Sequence, residues 1–232
     1  MKKIVFAILL AVSASMGHAA SVVAAATENG LAGAEGGDLA QGNLVRVGVF
    51  NISEAVISAN SGDLAFLNAN FQEFGIGRIG QNVGANGLFQ TSLLDRPNSD
   101  AEGFGNKQIY LWVFNSTDNS TPATSFATAF QHGIFFRDFT SPADANNVSG
   151  NQWRVRLNGE IPNDVNIDLS DLTNNTNDQL SPGAHIVVGS FGPGANGATG
   201  LKDFYLAIPE PASMGLMLIG ATVTLVRRRT RK

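Results

Sequence analysis

The sequence predicts an all-β protein: an antiparallel β-sandwich of the jelly-roll or Ig-like type, with an N-terminal signal peptide and a C-terminal single membrane helix. Three observations carry this. Short apolar or alternating runs recur along the chain, separated by clusters of Gly, Pro, Asn and Ser. Gly and Phe are abundant, at 26 and 15 of 232 residues, and long Ala-Leu-Glu-Lys helical runs are missing. Finally, the two ends have compositions unlike the middle, which divides the chain into residues 1–26, 27–207 and 208–232.

Met1-Lys2-Lys3 is a basic leader, and Ile4 to Val12 (IVFAILLAV) is an apolar stretch of secretory h-region length. Small residues follow. Gly17-His18-Ala19 and Ala24-Ala25-Ala26 each offer a small-x-small cleavage site, so the start of the mature chain is open between them. Residues 1–26 are therefore read as signal and cleavage region.

The first expected strand is Leu44 to Phe50. Ser53 to Phe74 reads either as two strands or as a short helix plus a loop, and nothing local decides. Gln108 to Phe114 (QIYLWVF) is an unbroken apolar run, the pattern of a central strand buried on both faces. Gly133 to Arg137 follows the turn cluster Thr117 to Pro122. Trp153 to Leu157 alternates with the two-residue period of a half-buried strand, and Asn158-Gly159 after it favours a tight hairpin turn. Val165, Ile167 and Leu169 alternate with polar neighbours as a second such strand, weakened upstream by Pro162. His185 to Phe191 and Leu201 to Ala207 complete the set, with turn clusters at Ser141 to Asn151, Leu172 to Gly183 and Gly192 to Gly200.

The C-terminus changes character. Pro209-Glu210-Pro211 is followed by uncharged, mostly apolar residues to Val226, and then by Arg227, Arg228, Arg229, Arg231 and Lys232. As a helix, Ala212 to Val226 would rise roughly 22 Å. A hydrocarbon core is about 30 Å thick, so the span is short, and snorkelling arginines would extend its reach. The basic end belongs on the cytoplasmic side, with everything upstream outside the membrane. This describes a temporary membrane stop better than a permanent anchor.

Proline-glutamate-proline, apolar segment and arginine cluster, in that order at the extreme C-terminus, resemble the PEP-CTERM sorting signal of Gram-negative bacteria. The resemblance implies an exosortase-like membrane protease-transpeptidase as partner, acting near Pro209, Glu210 and Pro211. It also implies transient residence in the inner membrane, and a destination at the cell surface or in an extracellular matrix associated with exopolysaccharide. Gly105 to Asn115 and Asp203 to Ala207 are similar, more distantly, to a small exported domain found ahead of this tail in aquatic bacteria such as verrucomicrobia. That similarity implies no activity.

Charge sharpens the picture. Lys2, Lys3 and the five tail cations account for seven of fifteen basic residues, leaving eight against eighteen Asp and Glu between Ala20 and Ile208, a net charge near −10. Such an acidic ectodomain argues against nucleic acid as a partner. There is no cysteine, so no disulfide staples the fold.

Candidate chemistry is sparse. Gly75-Ile76-Gly77-Arg78-Ile79-Gly80 has the letters of a dinucleotide fingerprint, with Asp95 twenty residues beyond Gly75. More Gly and Asn follow where a helix is required, so it reads as a glycine-rich loop. Asp164, Asn166 and Asp168 have calcium-loop spacing, but Leu169 stands where glycine is needed and Asn175 where a bidentate carboxylate is needed. His132 and His185 are the only histidines beyond the signal, and Ser190 lies in no nucleophile elbow. Trp112, Trp153, Tyr110 and Tyr205 would stack on sugar rings if exposed, but aromatics within apolar strands are usually core. The expectation is no enzyme, no cofactor and no metal. The function expected is a non-catalytic structural or adhesive role. A carbohydrate-binding module for extracellular polysaccharide is the alternative, and a polysaccharide hydrolase stands third.

Overall fold

The computed structural model describes residues 19–97, 104–139, 153–155, 165–174, 178–194 and 201–209. The h-region, the Asn158-Gly159 turn, Asp164, and the tail from Glu210 through Pro211 and Arg227, Arg228, Arg229, Arg231 to Lys232 lie outside them. Among the described residues no helix is long and apolar enough to cross a membrane.

The chain is mostly β. Eleven strands are described: β1 (Ala19–Ala26), β2 (Leu31–Ala32), β3 (Leu44–Phe50), β4 (Phe71–Arg78), β5 (Phe89–Pro97), β6 (Tyr110–Ser116), β7 (Ala129–Arg137), β8 (Val165–Asp168), β9 (Ala184–Val188), β10 (Ser190–Pro193) and β11 (Lys202–Tyr205). Three short helices join them: α1 (Glu54–Ala59), α2 (Leu64–Ala69) and α3 (Pro122–Ala127). The largest sheet is antiparallel, in the order β4-β3-β6-β7-β9. A second has the order β5-β1-β8, and a third β10-β11-β2, each with one antiparallel and one parallel pair.

β6 is the centre of the large sheet, and Tyr110 through Phe114 are all buried, as an uninterrupted apolar run requires. Alternation sorts its side chains onto two faces. One face, with Tyr110, Trp112 and Phe114, joins Phe50, Phe71, Phe126 and Phe136 in a continuous aromatic layer, with neighbouring ring centroids 4.8–6.0 Å apart. Arg46, the cross-strand partner of Trp112, lays its guanidinium over Phe71, Trp112 and Phe126 and donates to Glu73 and Asn68. On the other side, Phe135 meets Phe204 of β11 edge to face at 5.4 Å. The buried apolar residues of all three sheets form one cluster.

Several boundaries differ from expectation. Residues 19–26, read as signal and cleavage region, include the middle strand of the second sheet, so the folded unit begins before residue 27. Ala24, Ala25 and Ala26 are buried in this strand, and the same small residues suit a cleavage site. Ser53 to Phe74 holds two helices and the start of β4, with Ile57 and Leu67 turned into the core. The Thr117 to Pro122 cluster runs into α3, started by a capping box between Thr121 and Thr124 with Pro122 in the first turn.

Trp153 to Val155 is extended beside the approach to β6, through an Arg154–Gln108 bridge. β8 stops at Asp168, and Leu169–Leu172 forms a 3-10 turn. The expected strand His185 to Phe191 breaks at Gly189 (φ +120°), where the chain passes from the large sheet to the third.

Candidate functional site

Within the described residues, the fold's last structured position before the Pro-Glu-Pro motif is Ala207. Beyond β11, Ala207 and His132 of β7 exchange two backbone hydrogen bonds, His132 N to Ala207 O and Ala207 N to His132 O, each 2.9 Å. Ile208, the residue after this closed bridge, is 58% exposed, and Pro209 is half-buried. A groove of about 220 Å³ opens at this root, lined by Ser61, His132, Val187, Gly189, Ile208 and Pro209. Of the sequence-predicted sorting residues, Pro209 is placed here.

His132 anchors the root through its side chain as well. Nδ1 accepts from Trp112 Nε1 at 3.1 Å, and Nε2 lies 2.7 Å from Ser61 O. A ring that accepts at Nδ1 must carry its proton on Nε2, which then donates to the Ser61 carbonyl. Burial pushes its pKa down to about 4, against a smaller opposing pull from the Ser61 carbonyl. A neutral ring with both nitrogens committed joins the turn between α1 and α2 to β6 and β7. It has no lone pair left for proton transfer.

A second concavity, about 490 Å³, is lined by Glu28, Asp38, Gln41, Asn86 and Asp203 among others. Its carboxylates have structural work: Asp203 Oδ1 accepts from Gly30 N at 2.9 Å, fixing the approach to β2 against β11. Partial burial raises the Tyr205 phenol above its usual range, with the charges of Asp203 and Asp38 adding to it. Among the described residues no group of three or more His, Asp or Glu side chains is arranged to hold a metal ion.

The remaining sequence candidates separate cleanly. Gly75 to Arg78 is the end of β4 rather than a loop. Gly77 packs on Thr91, whose Cγ2 would lie 2.7 Å from an added Cβ, and the turn follows at Ile79 and Gly80 (φ +84°). The next element along the chain is the strand β5, so a dinucleotide cradle lacks its helix. Asp168 accepts from Ser170 N and from Thr27 Oγ1, capping the 3-10 turn. Asp171 accepts from Asp168 N and Trp153 Nε1; burial raises its pKa while those bonds pull it down.

Trp112 and Trp153 are fully buried and Tyr110 nearly so; of the four aromatics considered as a sugar platform, only Tyr205 is partly exposed. Burial pushes the Tyr110 phenol up to about 12, helped by the charges of Glu54 and Asp138. His185 pairs with Glu54 at 3.2 Å and stacks on Phe136 at 4.5 Å.

Sequence reasoning missed the role of His132. Its partners lie 20, 71 and 75 positions away, and no local pattern announces them. No protein-family model, curated protein or solved structure matches the chain.

Proposed function

We propose that this chain is an exported protein delivered to the cell surface or extracellular matrix by its C-terminal sorting tail, with a non-catalytic structural or adhesive ectodomain. The observation that carries the reading is the order Pro209-Glu210-Pro211, apolar segment, Arg227-Arg228-Arg229. The signal exports the chain, the apolar segment forms a single membrane helix and stops transfer, and Arg227 to Lys232 stay in the cytoplasm. An exosortase-like protease-transpeptidase then acts near Pro209, Glu210 and Pro211.

The local geometry supports this. The Ala207–His132 bridge closes the fold just upstream, so a cut at the motif severs no described strand. For the ectodomain we adopt a β-sandwich arrangement, supported by the Phe135–Phe204 packing between two sheets. The non-catalytic reading is supported at His132, whose two ring nitrogens are both held in hydrogen bonds within the fold.

Fractionation tests the assignment. The full chain should appear in the envelope and then at the surface, whereas a chain truncated after Ile208 should be soluble in the exported fraction. Equal distribution of both forms would mean that the tail is not an address.

A further inference from the structure

Two small-x-small sites follow the h-region, and sequence alone leaves the choice between them open. The fold separates them by what each cut would remove. β1 is inserted between β5 and β8, antiparallel to the first and parallel to the second. Val22 to Ala26 pair with Leu93 to Phe89 on one side, and Val22 to Ala25 pair with Val165 to Asp168 on the other. Val22, Ala24, Ala25 and Ala26 are buried in the core.

Cleavage after Ala26 would remove this whole strand. It would leave the facing edges of β5 and β8 without partners, exposing backbone donors and acceptors that the middle strand satisfies. It would also open a slot lined by Phe89 and Ile167, both buried. Cleavage after Ala19 removes one residue from the outer end of β1, where Ala19 faces Pro97, a residue with no N–H to offer.

Spacing from the membrane segment agrees independently. Ala19 lies seven residues beyond Val12, the end of the h-region, and Ala26 lies fourteen beyond it. A signal peptidase bound at the membrane face meets the first site with about half the extended chain that the second demands.

We infer that export processing hydrolyses the Ala19–Ala20 peptide bond, with water adding across it. The mature chain then starts Ala20-Ser21-Val22-Val23 and keeps β1 as the middle strand of its sheet. This inference rests on the export reading above, and one experiment separates the two.

The full chain is expressed in a Gram-negative secretion host, and the exported protein is sequenced from its N-terminus. A start at Ala20 is the expected result. A start at Thr27, or an exported chain retaining Met1, overturns the choice of site while leaving export intact, and a full-length chain confined to the cytoplasm overturns both. The precursor variant Ala19→Leu provides the second measurement, because a bulky residue before the bond blocks the peptidase. It should lose the Ala20 product and accumulate as precursor. Because cleavage precedes folding, that readout does not depend on whether the variant folds. Wild type and Ala19→Leu that both start at Thr27 in equal yield overturn the inference.

Discussion

His132 shows how one residue sets a pH limit on the molecule. Its pKa falls from an ordinary 6.5 to about 4 in the fold, so the folded state favours the neutral ring. A depressed histidine pKa means that its contribution is fully present above about pH 6.5 and is lost as pH falls toward 4. The whole displacement corresponds to about 3 kcal/mol. His132→Gln keeps a donor and an acceptor near Ser61 and Trp112 but cannot charge. It should be less stable than the wild type at pH 7, and the gap should narrow as pH is lowered to 4. Denaturant titrations of both proteins across that range check this; a gap constant with pH would assign the burial cost to some other group. Arg46 makes the contrasting case. Its charge is tolerated in an aromatic layer because Glu73 and Asn68 take its hydrogens and three rings face its guanidinium.

At the scale of elements, the passage from β9 to β10 depends on Gly189. Its φ of +120° suits glycine, and an added Cβ would stand 2.3 Å from Tyr205 O. Gly189→Ala should therefore cost about 2 kcal/mol or more, by strain and by displacing β11, measured as a lower urea midpoint at unchanged slope. An unchanged midpoint would show that β11 gives way freely. Sequence patterning finds an element when one local cause determines it. β3 and β6 were legible because their apolar runs have no other stable use. β4 was hidden because close approach to Thr91 selects Gly77 over an apolar side chain, which breaks the apolar pattern. β1 was hidden because its buried alanines also match a cleavage site. The single run His185 to Phe191 concealed a change of sheet that only the left-handed glycine marks. At the candidate site the Pro-Glu-Pro letters were readable, but the bridge that roots them joins residues 75 positions apart. Such pairing is set by topology, not by neighbours in sequence.

For the whole molecule, the three sheets share one core. Ala24 and Ile167 from the second sheet, Leu31 and Phe204 from the third, and Val47 and Trp112 from the first belong to the same buried cluster. Three sheets with separate cores could unfold independently, whereas a shared core couples them into one transition. The two tryptophans are placed to test this. Trp112 reports the aromatic layer beneath the helices, between Phe71 and His132. Trp153 reports the region of the 3-10 turn through its bond to Asp171. In Trp112→Phe and Trp153→Phe the remaining indole isolates one region. Each variant should show a fluorescence midpoint in urea that coincides with its own far-UV circular dichroism midpoint. Indole midpoints that part from the dichroism in either variant would mean that the layer around Trp112 and the segment around Trp153 unfold separately. Coincidence is the expected result because β1 and β8, which frame the Trp153 region, bury Val22 and Ile167 in the core that also holds Trp112. Loosening either end exposes apolar surface belonging to both.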